Sequence, residues 1–152
     1  MPSQRLFDKA FLDMALSIAV GLSKDPSTKV GCIIATPDNK KFSMGYNGFA
    51  RGMEENAERW QRPQKYEYVI HAELNALLNC PFDTAGASLY CTHQPCHRCI
   101  QHLINAGVSR VVFRHEYANM THPEIWEEAA SLFDEVVQIS DAGIIQFGRK
   151  SL

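Results

Sequence analysis

No stretch of this 152-residue sequence is apolar for long enough to cross a membrane, so no transmembrane helix is expected. Positive charge is not in excess either: 15 Lys and Arg face 17 Asp and Glu, for a formal net charge of −2. A phosphate backbone is met by a strongly basic surface, so that balance argues against nucleic acid as a partner while leaving room for a local basic patch. No cleavable apolar stretch opens the chain. Met1 to Arg5 is polar and leads straight into an amphipathic segment, so a secretory leader is not expected. A disulfide framework is also missing, because five cysteines is an odd count. Thiols in such number fit a reducing cytoplasm, where they serve metal binding or buried packing. There is no internal repeat, low-complexity tract or Ser/Gly/Pro-rich linker, and residues 1–152 are expected to form one domain. Hydrophobic residues make up 45% of the chain, enough for a core of its own.

Phe7, Phe11, Met14, Ala15, Ile18 and Leu22 recur at helical spacing and predict a helix from about Leu6 to Leu22. Val30 to Ala35 and Lys41 to Tyr46 predict two strands joined by a turn at Pro37 to Lys40, a hairpin. Asn47 to Pro63 is polar and without period, a loop long enough to suggest a function. Further helices are expected from Tyr68 to about Asn79, from Pro95 to Ala106 (stopped by Gly107) and from Pro123 to Phe133. Strands are expected at Ala87 to Thr92, Arg110 to Phe113 and Glu135 to Ile139, with Gly143 to Gly148 a candidate final extended piece. Helices alternating with strands after a hairpin imply an α/β fold: a mixed five-stranded sheet between helices, three layers α-β-α.

Two short segments carry the chemistry. His71-Ala72-Glu73 lies near one helix start, and Pro95-Cys96-His97-Arg98-Cys99 opens another. Cys-x-x-Cys at a helix start puts two sulfurs on one side of the first turn, and the helix dipole favours their thiolates. With His71 they make three ligands where zinc prefers four, the mark of a catalytic rather than a structural site. Zinc lowers the pKa of bound water to about 7, and Glu73, two residues after His71, is placed to carry protons without being a ligand. One catalytic Zn2+ per chain is expected. A structural site with four ligands stays open, since Cys91, His93, His97 and His102 are close in sequence; His97 is expected to point away from the metal. Cys32, Cys80 and Cys91 lie in or beside apolar segments and are expected to be packing residues.

The ordered pair His-x-Glu and Pro-Cys-x-x-Cys resembles the signature of zinc nucleobase deaminases. Asp25-Pro-Ser-Thr-Lys-Val-Gly31, Gly45-Tyr-Asn-Gly-Phe49, His71-Ala-Glu-Leu-Asn-Ala76, Pro95-Cys-His-Arg-Cys99 and Leu103 to Phe113 together resemble the deoxycytidylate (dCMP) deaminases of the cytidine deaminase superfamily. The resemblance runs from Phe11 to about Tyr117. It implies a cytidine-deaminase-like fold and hydrolysis of dCMP to dUMP and ammonia, in the supply of thymidylate. It also implies a homo-hexamer under dCTP and dTTP control, with Mg2+ accompanying a triphosphate effector. Phe49-Ala50 departs from the proline many relatives have there, and Val69, two residues before His71, argues against a second, structural zinc.

Within that frame Ser27, Thr28 and Lys29 are candidates for a 5′-phosphate, or a solvated turn. Asn47 would bond a sugar hydroxyl or pyrimidine edge, or serve only the turn beside Gly48. The Ala72 N–H is a candidate for the base carbonyl, and Tyr117 for stacking on the base, against the alternative of a buried aromatic. Tyr46, Asn47, Gly48, Arg59 and Arg62 are candidates for an effector site, the basic, aromatic loop containing Arg51, Trp60 and Lys65 being otherwise an ordinary solvated one. Two rival functions remain: a tRNA adenosine or nucleic-acid cytosine deaminase, and a zinc-stabilised binding module without catalysis.

Overall fold

The Ser3 hydroxyl accepts from the Leu6 N–H at 3.3 Å, and this cap opens α1 (Gln4–Leu22). The computed structural model describes residues 2–148. After α1 come β1 (Gly31–Ala35), β2 (Phe42–Tyr46), α2 (Lys65–Tyr68), α3 (Ala72–Leu78), β3 (Ser88–His93) and α4 (His97–Asn105). The chain continues through β4 (Arg110–His115), α5 (Pro123–Ala130), β5 (Glu135–Ser140) and β6 (Gly143–Phe147). The strands lie in the order β2-β1-β3-β4-β5-β6. β3, β4 and β5 are parallel, and antiparallel hairpins form both edges.

The mixed sheet and its three layers are as the sequence implies, but the described residues form six strands rather than five. The extra one is the segment from Gly143, which pairs with β5 from Ser140↔Gly143 to Val136↔Phe147. Its Ile144 and Ile145 are both exposed, so no in-out alternation marks it as a strand. The start of one helix also differs. The helix expected from Tyr68 begins only at Ala72, with His71 extended at its N-cap, and the single turn α2 precedes it.

Successive side chains of a strand point to opposite faces, which divides the core in two. Cys32, Ile34, Leu89, Cys91, Val111 and Phe113 pack with Ala72, Ala76, Ile100, Leu103 and Trp126, so α3, α4 and α5 share one face. Ile33, Tyr90, Val112 and Val137 pack with Phe11, Leu12 and Ala15 of α1 on the other. Gly45 lets α3 sit close on β2: a Cβ there would overlap the backbone of Ala72 and Ala76. Gly45→Ala must therefore lift the turn that carries Glu73. We expect a loss of about 1–3 kcal/mol of stability and a drop in turnover well above tenfold, from overpacking and misplacement together. Thermal denaturation and an activity assay check this; wild-type values in both would mean that α3 is not held by that contact.

A polar network closes the opposite end of the sheet. Asp8, fully buried, accepts from Arg110 at 2.8 and 3.1 Å and from the Tyr90 hydroxyl at 2.7 Å. Glu135 takes Arg110 at 2.7 Å and a two-pronged contact from Arg5 at 3.0 Å. Burial alone would raise both carboxyls, but the hydrogen bonds, led by Arg110, outweigh it and hold both below their usual range. A depressed folded pKa gives stability that is complete above the unfolded value, about 4, and is lost as pH falls through the folded value. The urea midpoint should hold from neutrality to about pH 5 and fall steeply below about pH 4. Asp8→Asn should flatten that fall, and an unchanged acid limb would remove Asp8 from it.

Candidate active site

β3 ends at His93, and Gln94 and Pro95 carry the chain over the sheet's edge into α4. The crevice beyond the carboxyl ends of the strands is where open α/β sheets place their ligands. Cys96 is the N-cap of α4 and its sulfur accepts the Cys99 N–H at 3.4 Å, so both cysteines of the motif sit on the helix's first turn. α3 starts alongside, with His71 at its N-cap. His71 Nδ1 lies 3.4 Å from Cys99 Sγ and 3.6 Å from Cys96 Sγ. A tetrahedral zinc with bonds of about 2.0 Å to nitrogen and about 2.3 Å to sulfur puts such atoms about 3.5 Å apart. The donor set fits the metal. Among the described residues this group gathers three donors, and no fourth Cys, His, Asp or Glu joins it.

The electrostatics agree. Hydrogen bonding from the Cys99 thiol, with His71 and the Cys99 N–H adding to it, pulls Cys96 down to about 3 against the effect of burial. The same sharing with Cys96 pushes Cys99 up, and burial adds to it. His71 is raised, chiefly by its contact with Cys96. Two cysteine sulfurs and an imidazole so placed are donors that suit a thiophilic cation. Of the other histidines and cysteines considered as a fourth ligand, His93 Nδ1 meets Thr92 Oγ1 at 2.9 Å, and His97 packs edge-on against His122. Cys91 meets Glu73, and His102 sits in the last turn of α4.

Glu73 is in the first turn of α3, buried, and lines a cavity of about 420 Å³ beside the three donors. Its Oε1 accepts from Cys91 Sγ at 3.4 Å and lies 3.6 Å from Cys32 Sγ. Cys32 and Cys91, expected to be packing residues, are in the core and touch the carboxylate as well. Thr28, Asn47, Ala72 and Tyr117 also line the cavity. Asn47 is nearly enclosed: it donates to the Thr28 carbonyl at 2.9 Å and to Asp25 at 3.1 Å, and accepts from Ser23 and from the Val30 N–H. The Ala72 N–H, first in its helix, has no intrahelical acceptor. Tyr117 is exposed rather than buried, its N–H donating to Gln94 at 2.9 Å.

Ser27 and Lys29 are not in the cavity lining. Ser27 Oγ donates to Asp25 at 3.0 Å, and Lys29 donates to the Ser23 carbonyl. The cations that do line it are Arg62 and Lys65. Lys65 is buried and pairs with the fully buried Asp25 at 2.6 Å, which also accepts the Ser27 and Thr28 N–H groups. That pair joins α2 to the loop after α1, and no local pattern in the sequence signals it. The effector candidates do not converge. Tyr46 and Gly48 line a second groove along β2 and α3, and Arg62 lines the first cavity. Arg59 lies over the Tyr68 ring at 4.6 Å, where Phe49 also stacks on Trp60 and Tyr68 and orders the long loop.

A three-layer α/β domain with a His, two Cys and a carboxylate at the strand ends is of the zinc-site hydrolase kind. Residues 6–115 match the family model for the cytidine and deoxycytidylate deaminase zinc-binding region. A probable deoxycytidylate deaminase of Caenorhabditis elegans is 36% identical over 132 residues, 82% of this chain and 67% of that one. The deoxycytidylate deaminase of Mus musculus is 41% identical over 98 residues, 60% of this chain and 55% of its own length. This chain thus spans about two thirds and just over half of these two relatives. Among solved structures, dCMP deaminase from the cyanophage S-TIM5, in complex with dCMP and dUMP, superposes with a TM-score of 0.71 at 26% identity, covering 91% of this chain and 98% of that one. The chain belongs to the cytidine and deoxycytidylate deaminase family.

Proposed function

We propose that this single domain hydrolyses dCMP to dUMP and ammonia, using a zinc ion held by His71, Cys96 and Cys99. The observation that carries the reading is the position of Glu73: a buried carboxylate lining the same cavity as His71 and Cys96, in the first turn after His71. When bound, the zinc supplies a Lewis acid that makes water nucleophilic at neutral pH. Glu73 takes a proton from the attacking water at a carboxylate oxygen and returns protons to the pyrimidine N3 and the departing amino group. The Ala72 N–H holds the base carbonyl and Tyr117 covers the base at the cavity mouth, while Asn47, its amide engaged by Asp25, Thr28, Ser23 and Val30, braces the cavity wall rather than bonding the sugar or the pyrimidine edge. The enclosing core on the α3 side keeps bulk water from the reacting carbon.

For the 5′-phosphate, Thr28 and Arg62 are better placed than Ser27 and Lys29, with Lys65 behind them held in its ion pair with Asp25. The same reading extends, by resemblance, to a hexamer regulated by dCTP and dTTP, with the groove holding Tyr46 and Gly48 set apart from the catalytic cavity. Mg2+ has no support of this kind. Both groups of candidate donors among the described residues contain thiols, whereas magnesium takes oxygen ligands. A cytoplasmic setting agrees with five unpaired cysteines, and among the described residues no helix is long and apolar enough to cross a membrane.

Ammonia release from dCMP, cytidine, dCTP and an RNA substrate tests the reading. Activity on dCMP is expected, and activity confined to RNA would contradict it. Arg62→Ala should raise KM for dCMP about tenfold or more while changing that for deoxycytidine little. Equal effects on the two substrates would take Arg62 out of the phosphate site, and Lys29→Ala run in parallel tests the alternative.

A further inference from the structure

Cys32 and Cys91 lie directly opposite one another on the antiparallel strands β1 and β3, and both face α3. Their sulfurs are 3.0 Å apart, and neither residue is exposed to solvent. Both also reach Glu73 Oε1, Cys91 at 3.4 Å and Cys32 at 3.6 Å. Two thiols and a carboxylate in one place could also be a second metal site. The spacing argues against that, because thiolates sharing a tetrahedral ion with bonds of about 2.3 Å sit nearly 4 Å apart. Burial also pushes both thiols up, so they stay protonated and act as donors. Each thiol has one hydrogen. Cys32, nearer to the Cys91 sulfur than to the carboxylate, gives its hydrogen to Cys91, and Cys91 gives its own to Glu73.

We infer that Cys91, backed by Cys32, is a positioning residue that holds the Glu73 carboxylate in its working orientation through an S–H···S–H···O chain. This rests on the reading of Glu73 as the proton carrier. A glutamate side chain turns freely about its last bond. A donor on Oε1, fixed by sheet register, removes that freedom at the group that must meet water and base in turn. Packing alone would be served by apolar residues such as valine or alanine, which bracket cysteine in volume and lack the hydrogen.

Cys91→Val with Cys32→Ala should therefore lower kcat about five- to tenfold, the scale of one net hydrogen bond, with KM for dCMP and zinc content unchanged. Cys91→Ser, which keeps a donor, should recover most of the lost kcat. Unchanged kcat in the folded, zinc-loaded double variant would overturn the proposal, as would a serine variant no better than valine. The Raman S–H stretch gives a readout independent of turnover. The Cys91 band, assigned by difference against Cys91→Val, should lie at lower frequency in the wild type than in Glu73→Ala. Identical bands would overturn the proposal even if the protein deaminated nothing. Inactivity of the wild type toward every substrate would instead overturn the deaminase reading.

Discussion

Glu73→Gln should cut turnover by about a thousandfold or more while one zinc per chain remains bound. A positioned proton-transfer group contributes about 10²–10⁴ in rate, and an amide of the same shape cannot take a proton from water at neutral pH. The metal should stay because the three donors are His71, Cys96 and Cys99, with Glu73 outside the group they form. The fold should stay too, since the amide oxygen still accepts from Cys91 where the carboxylate did. Metal analysis and an ammonia assay on the same preparation separate the outcomes. Zinc lost with activity would make Glu73 a ligand, and activity retained would make it a bystander.

Cys96→Ala should lose metal and activity together. The substitution removes the sulfur most strongly held as a thiolate and leaves a two-donor site. It also removes the acceptor for the Cys99 N–H at the N-cap of α4, at a cost of about 1 kcal/mol in stability. Cys96→Ser separates these effects: its hydroxyl restores the cap, so stability should recover while zinc content stays low. Full zinc occupancy in the alanine variant would mean that the ligand set is wrong.

What could be foreseen from the sequence follows from how local each feature is. His71, Glu73, Cys96 and Cys99 belong to two helix starts: one helical turn brings the two cysteines together, and Glu73 follows the N-cap His71 by two residues. Their chemistry was therefore legible from spacing. The strands β1 and β3 were legible because they are buried on both faces and read as apolar runs, and β4 and β5 from the buried apolar residues at their centres. The edge strand β6 was legible only as a candidate extended piece, since its isoleucines face solvent. The single turn of α2 was not, since its place depends on Lys65 finding Asp25 forty residues away. The Cys32–Cys91 pair is of the same kind: an unremarkable residue on each of two strands, joined only by their register. Ser27 and Lys29 show the converse. Their residue types suit a phosphate, but Asp25 and the Ser23 carbonyl engage their side chains.

The most direct measurement is ammonia release from dCMP before chelation, after zinc removal and after zinc is restored. Equimolar dUMP and ammonia are expected from the loaded protein, loss of both on chelation, and recovery as occupancy returns to one zinc per chain. A folded, fully zinc-loaded protein that leaves dCMP intact, or one whose turnover survives complete loss of zinc, would contradict the assignment.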